Sequence, residues 1–78
     1  KRASGLYVAA SQGQVHVMNP KAVQIDNIRI YSVVGRRLEH YVIRSNDNVI
    51  LTTGVRNRVA VVEVESAGRF IRFKIMLP

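Results

Sequence analysis

Apolar and polar side chains alternate with a period of two along most of this chain of 78 residues. The last run shows the pattern most clearly, with large apolar side chains at every second position: Ile71, Phe73, Ile75 and Leu77. Successive side chains of a β-strand point to opposite faces of a sheet, so this period predicts strands that are buried on one face. The alternation therefore predicts an all-β fold.

Turn-forming residues divide the chain into seven or eight short runs. Gly, Asn, Asp and Ser gather between the runs, for example in the tetrapeptides at 11–14 and 45–48. Short strands separated by turn signals every eight to twelve residues are typical of antiparallel sandwiches and small barrels. Pro20 and Pro78 lie where neither interrupts a central strand.

The centre of the chain predicts a hairpin. We expect a strand over 28–34, a tight reversal at Gly35 and a second strand over 37–44. A shorter run at 22–25 precedes it, and the Asp-Asn pair at 26–27 is expected to break that run before the hairpin begins. The hairpin is an architectural element with no catalytic chemistry of its own.

Length and composition predict one small globular domain over residues 6–78, preceded by the end of a linker at 1–5. Nearly half of the residues (47%) are hydrophobic, which argues against disorder. The chain has no cysteine, so disulfides and thiolate chemistry are excluded. No apolar run approaches the ~20 residues that a membrane helix needs, so we expect no transmembrane segment. Because the chain begins without Met, we expect it to be a piece of a longer protein.

The chain offers few residues for catalysis. His16 and His40 are the two imidazoles, and neither has a second ligand at zinc-like spacing. Glu63 and Glu65 lie two residues apart on one strand face, as ordinary solvated side chains do. No serine lies in a nucleophile-elbow sequence, and the glycines are isolated instead of forming a phosphate-binding loop. We therefore expect a protein that is not an enzyme and that holds no cofactor or metal.

The chain carries a formal charge of +7, from 12 basic and five acidic residues. Nine of the basic residues are arginine, whose planar guanidinium favours bidentate contacts with carboxylate and phosphate groups. By charge, nucleic acid, anionic lipid or lipopolysaccharide, and an acidic protein surface are all compatible partners; the alternative is a charge layer that only keeps the protein soluble and protects its edges. No nucleic acid is expected, because Phe73 belongs to the apolar face of its strand, Phe70 flanks a turn, and no RNP-like or cold-shock motif is present.

Several motifs carry a family resemblance in their order along the chain. Two short apolar runs at 6–18 come first, and Ile28 to Leu38 then read Ile-Arg-Ile-Tyr-Ser-Val-Val-Gly-Arg-Arg-Leu. Leu51 to Val55 read Leu-Thr-Thr-Gly-Val, and the terminal run carries Arg72 and Lys74. In this order, and over nearly its whole length, the chain resembles the C-terminal sorting domains of cargo proteins of the type IX secretion system in Bacteroidetes.

The resemblance implies a seven-stranded, immunoglobulin-like antiparallel β-sandwich that the type IX machinery recognises for export across the outer membrane. The implied partners are the outer-membrane secretion machinery and its shuttle protein. In family members whose domain is removed, a surface sortase and anionic lipopolysaccharide are further partners. The implied localisation is the periplasm in transit, and then the cell surface, the outer membrane or the extracellular space. The sequence leaves open whether the domain is cleaved or retained.

A sorting domain needs a surface that a partner can recognise. We predict that the final strand, Arg69 to Leu77, forms this surface with the turn after residue 34, through strand pairing and charge steering. The predicted recognition residues are Tyr31, Gly35, Arg36, Arg37, Gly54, Arg72 and Lys74. The rival hypothesis is an extracellular β-sandwich module that binds a polyanion or carbohydrate, such as lipopolysaccharide, through four arginines: Arg36, Arg37, Arg56 and Arg58.

Overall fold

The computed structural model describes residues 5–78, which form seven β-strands and no helix. The strands are β1 (Tyr7–Ser11), β2 (Gln14–Met18), β3 (Ile25–Ser32), β4 (Arg37–Ser45), β5 (Val49–Thr52), β6 (Arg58–Ser66) and β7 (Arg69–Leu77). They form two antiparallel sheets, with strand orders β1–β2–β5 and β4–β3–β6–β7. The predicted immunoglobulin-like antiparallel β-sandwich is confirmed. Residues 1–4 of the predicted linker lie outside the described residues, and no helix within 5–78 could cross a membrane.

The inner faces of the two sheets enclose one hydrophobic core. Alternate residues of β2, β3 and β6 contribute fully buried side chains to it: Val15, Val17, Ile28, Ile30, Val62 and Val64. β6 lies between β3 and β7, and β1 packs against β7 from the other sheet. Alternate side chains of β7 also face the core: Ile71, Phe73, Ile75 and the buried Leu77. The period of two in the sequence therefore corresponds to the inner and outer faces of the sandwich.

β3 begins at residue 25 instead of 28, and the prediction that Asp26 and Asn27 break the strand is wrong. Asp26 accepts a hydrogen bond from the Ala67 amide at 3.0 Å. The Asn27 side chain donates to Glu65 on β6 at 3.2 Å. Both polar residues are tolerated in the strand because these partners from distant parts of the chain satisfy them.

β3 also ends earlier than predicted, at Ser32, so Val33 and Val34 belong to the turn. Two backbone hydrogen bonds close the turn: Ser32 donates to the Arg36 carbonyl at 2.8 Å, and Gly35 donates to the Ser32 carbonyl at 3.0 Å. Gly35 has a φ of 90°, a conformation that glycine adopts without the steric cost of a Cβ. As a result the two valines are 59% and 87% exposed, despite their β-branched side chains.

The run at 22–25 forms no strand before β3 begins. Ala22 has a φ of 50°, which interrupts an extended conformation. The Asn19 side chain donates to the Val23 carbonyl at 2.8 Å and accepts from the Val23 amide at 3.0 Å. The Asn19 carboxamide therefore gives Val23 the two hydrogen bonds that a neighbouring strand would otherwise supply.

Candidate recognition surface

An open depression of about 340 Å³ lies on the outer face of the four-stranded sheet. It is lined by Tyr31, Ser32, Val33, Gly35, Val61, Glu63 and Arg72. The structure thus brings together three of the predicted recognition residues, from β3, the β3–β4 turn and β7. Lys74 pairs with Val61 beside the depression, and Arg36 and Arg37 follow directly after the turn.

Glu63 lies in this depression with a side chain that is only 6% exposed, so the expectation of an ordinary solvated glutamate is wrong. The strand register places it between Arg29 on β3 and Arg72 on β7. Arg72 Nη2 lies 3.0 Å from Glu63 Oε2, and Arg29 Nη1 lies 3.4 Å from Glu63 Oε1. The Tyr31 hydroxyl donates to Glu63 Oε1 at 3.4 Å. These partners compensate a buried charge that would otherwise destabilise the fold.

Glu65 extends this polar network along β6. Arg29 Nη1 lies 2.9 Å from Glu65 Oε1, and this hydrogen bond raises the pKa of the Arg29 guanidinium, against the effect of its desolvation. The Asn27 side chain bridges Glu65 and a ring nitrogen of His40, which lies 2.9 Å from Asn27 Oδ1. The outer face of β3 and β6 is therefore held by cross-strand polar contacts.

β7 is the longest regular edge strand among the described residues. It has nine residues, pairs only with β6, and keeps one register from Arg69 to Leu77. β4, at the opposite edge of the same sheet, contains two bulges, one at 43–44 and one at Leu38. Bulges and shortness both make an edge a poor template for pairing, and β1 and β5 have only five and four residues.

The turn between β6 and β7 determines which backbone groups of β7 face the open edge. Ala67 and Gly68 have φ values of 50° and 79°, as in a two-residue type I′ hairpin turn. The flanking residues, Ser66 and Arg69, then form a hydrogen-bonded pair, and bonded and non-bonded pairs alternate from there. The N–H and C=O groups of the non-bonded residues point away from β6, and these residues are Phe70, Arg72, Lys74 and Met76.

Four exposed arginines lie at one end of the sandwich, which we call the arginine end: Arg36, Arg37, Arg56 and Arg58. The register places the β3–β4 turn and the start of β6 at this end, because Ser32 pairs with Ala60. Leu38, Gly54, Val55, Arg56 and Arg58 line a second open depression there, of about 330 Å³. None of the four arginines forms an ion pair with a residue in 5–78. Asp26 and Asp47 lie at the other end.

Gly54, the remaining predicted recognition residue, takes part in a contact that joins the two sheets. Its amide donates to Glu39 Oε2 at 2.9 Å. Glu39 lies on β4 and faces the end of β5, where its Oε1 accepts from the Thr53 hydroxyl and the Tyr41 hydroxyl, each at 2.6 Å. Tyr41 also lies 2.9 Å from the Thr52 carbonyl. Gly54 therefore serves the packing of β4 against β5.

The pKa values of Glu39 and Tyr41 follow from the burial and the hydrogen bonds of the two side chains. Burial acts to raise the pKa of Glu39, but the hydrogen bonds from Thr53, Tyr41 and Gly54 outweigh it and lower the pKa. Burial and the hydrogen bond to the Glu39 carboxylate raise the pKa of Tyr41 to about 12. Glu39 is thus held as a carboxylate with a neutral tyrosine beside it.

Sequence reasoning missed the Glu39 cluster. The signal was a glutamate and a tyrosine two residues apart in a predicted strand, which places both side chains on the same face. Leu38, directly before Glu39, occupies a bulge that no residue pattern predicted. The partner segment at 52–54 lies in a different sheet, and only the fold brings it to β4.

The described residues contain no group of three or more His, Cys, Asp and Glu side chains that could hold a metal ion. His16 contacts the Gln14 side chain at 3.2 Å, and His40 contacts Asn27 on the neighbouring strand. No protein-family model matches the chain, and no curated protein matches it. The class of protein that the fold defines is an immunoglobulin-like antiparallel β-sandwich with one long regular edge strand.

Replacement of Glu39 by glutamine is expected to lower the free energy of unfolding at pH 7 by about 1–3 kcal/mol. The reason is that the Gly54 amide loses its carboxylate acceptor and its N–H then faces the side-chain NH2 of the glutamine, which is also a donor. The pKa of Glu39 is lower in the folded state, so its stabilisation is present above the unfolded pKa, about 4.3, and is lost as the pH falls through the folded pKa. The difference between wild type and Glu39→Gln should therefore shrink below about pH 4.

Urea unfolding at several pH values measures this difference. Asp47→Asn is the matched control, since it makes the same chemical change in an exposed loop at the other end of the sandwich. A Glu39→Gln variant as stable as Asp47→Asn at pH 7 would contradict the role given to Glu39.

Proposed function

We propose that this domain is a C-terminal sorting domain of a type IX secretion system cargo protein, and that it acts by binding and not by catalysis. The observation that carries the proposal is the β7 edge. It offers nine regular residues, an outward row with Arg72 and Lys74, and a depression shared with Tyr31 and Gly35. The order of sequence motifs from Ile28 to Lys74 supports the same family.

Recognition of this kind needs backbone donors and acceptors that are free to pair, with charges that guide the partner. An unpaired edge supplies the first, because main-chain hydrogen bonds give affinity to an added strand. Basic side chains supply the second by steering an acidic partner toward the edge. The proposed partner is the shuttle protein of the outer-membrane machinery, with a surface sortase and lipopolysaccharide as later partners of the parent protein. The proposed route is through the periplasm to the cell surface.

Deletion of the last eight residues would trap a fused reporter in the periplasm under this proposal, but it would also remove the buried Leu77. Lys74→Pro is a sharper change, because the Lys74 amide faces the open edge and its loss spares the pairing with β6. We expect this variant to reduce the secreted fraction of a reporter fusion about tenfold, the effect of losing ~1.4 kcal/mol of recognition.

Ile50→Pro is the matched control for the secretion assay. Ile50 is exposed and pairs with His16 of β2, whose backbone groups bond to β1, so the Ile50 amide also faces an open edge, that of β5. Both purified variants are compared with wild type by thermal unfolding. Normal secretion of a folded Lys74→Pro fusion would contradict the proposal that β7 is the recognised edge.

The arginine end favours a second candidate function, an extracellular module that binds a polyanion such as lipopolysaccharide. Four exposed arginines without ion pairs to described residues lie at one end of the molecule, and two of them, Arg56 and Arg58, line a depression there. Guanidinium groups bind phosphate bidentately, and exposed charges of this kind are screened by salt. A polyanion site at this end therefore predicts affinity that falls steeply with ionic strength.

The double variants Arg36→Gln/Arg37→Gln and Arg56→Gln/Arg58→Gln each test this candidate. Each is expected to weaken binding to lipopolysaccharide micelles about fivefold or more at low salt, from the loss of two exposed charge contacts. Arg44→Gln/Arg69→Gln removes the same charge at the other end and serves as the control. Equal losses in all three double variants would mean that net charge, and not a site, determines binding.

A further inference from the structure

We infer that the open edge of β7 accepts an antiparallel partner strand that carries acidic side chains toward the outer face and apolar side chains toward the core. The inference rests on the proposed function, since it names the chemistry of the partner at the same surface. It follows from three properties of β7: its free backbone groups, the order of its outward side chains, and the partial burial of its inward ones.

The free backbone groups define where a partner strand would pair. The N–H and C=O groups that face the edge belong to alternate residues from Phe70 to Met76, a span of roughly 20 Å in an extended strand. No backbone hydrogen bond outside the strand pairs joins these residues to others in 5–78. A partner of about seven residues could therefore exchange main-chain hydrogen bonds along this whole span.

The outward side chains of β7 follow the order apolar, cationic, cationic, apolar: Phe70, Arg72, Lys74 and Met76. Arg72 already contacts Glu63 through Nη2, yet its side chain is 63% exposed, so its remaining donors are open to a second carboxylate. No ion pair joins Lys74 to a described residue. Opposite charges stabilise directly opposed cross-strand pairs, so a partner with two acidic residues opposite Arg72 and Lys74 fits best.

The inward side chains favour apolar residues in the partner. Ile71 and Ile75 of β7 pack against the core but are only partly buried. Val8 and Ala10 of β1, the strand that packs against β7, are also only partly buried. An added strand with apolar residues on its inner face would extend the core at this edge and remove apolar surface from water.

A second copy of this chain fits the edge poorly. If two β7 strands paired antiparallel about a centre at residue 72, 73 or 74, Arg72 or Lys74 of one copy would lie opposite Arg72 or Lys74 of the other. Like charges directly opposite each other are destabilising, and each chain carries a net charge of +7. The charge of β7 thus selects an acidic partner over self-association.

A synthetic peptide, Tyr-Val-Glu-Val-Glu-Val-Tyr, is the probe for this edge. Titration into the full chain, followed by fluorescence anisotropy, should show saturable binding. N-methylation of both glutamates removes amides that face β7, and we expect it to weaken binding at least about tenfold. N-methylation of the central valine, whose amide faces away, is the matched control and should change affinity by less than about threefold.

Two further comparisons test the charge pattern. A peptide with lysine in place of both glutamates should bind at least about tenfold more weakly to the wild-type chain. Lys74→Glu should weaken binding of the glutamate peptide by a similar factor, whereas Arg44→Glu, the same change on the bulged edge strand β4, should leave it unaltered. Equal binding of the two peptides, or equal sensitivity to both N-methylations, would overturn the inference.

Sedimentation velocity on the chain alone tests the competing occupant. A dimer that disappears in Lys74→Pro would assign the edge to a second copy and overturn the inference.

The reporter assay separates this inference from the proposed function. Failure of the glutamate peptide to bind, with secretion still dependent on β7, rejects the partner chemistry alone. Peptide binding as expected, with secretion independent of β7, rejects the sorting function alone.

Discussion

The register of the β6–β7 hairpin is the constraint on which the rest of this structure depends. The Ala67–Gly68 turn, with both residues at positive φ, sets that register. The register turns Ile71, Phe73 and Ile75 toward the core and places Arg72 opposite Glu63. It also directs one set of β7 backbone groups toward the open edge. A shift by one residue would exchange the inner and outer faces of β7 and destroy all three arrangements together.

Charge is distributed unevenly over the molecule because most carboxylates are used internally. Glu39 joins the two sheets, while Glu63 and Glu65 bind arginines on the outer face. No buried polar side-chain atom among residues 5–78 lacks a hydrogen-bond partner. The cations at the arginine end, by contrast, have no acidic partner within the described residues. The same fold therefore presents two cationic surfaces, and the β7 edge differs from the arginine end in offering backbone pairing as well.

Sequence patterns predicted the fold well where local signals agree with tertiary structure. The alternation in 69–77 and the turn before it gave β7 with its correct faces, because one face is apolar and the other charged. The start of β3 could not be predicted in this way, since Asp26 and Asn27 are satisfied by residues 41 and 38 positions away. The grouping of Tyr31, Gly35 and Arg72 likewise depends on the strand order β3–β6–β7, which residue patterns do not specify. Whether these residues recognise a partner stays a prediction.

Amide hydrogen exchange along β7 in the isolated chain tests the central claim most directly, because it reports which amides are paired. An open edge predicts alternation: slow exchange at Ile71, Phe73 and Ile75, whose amides pair with β6, and fast exchange at the residues between them, Arg72 and Lys74. Uniformly slow exchange from residue 70 to 76 would mean that the edge is already covered, and would contradict the account.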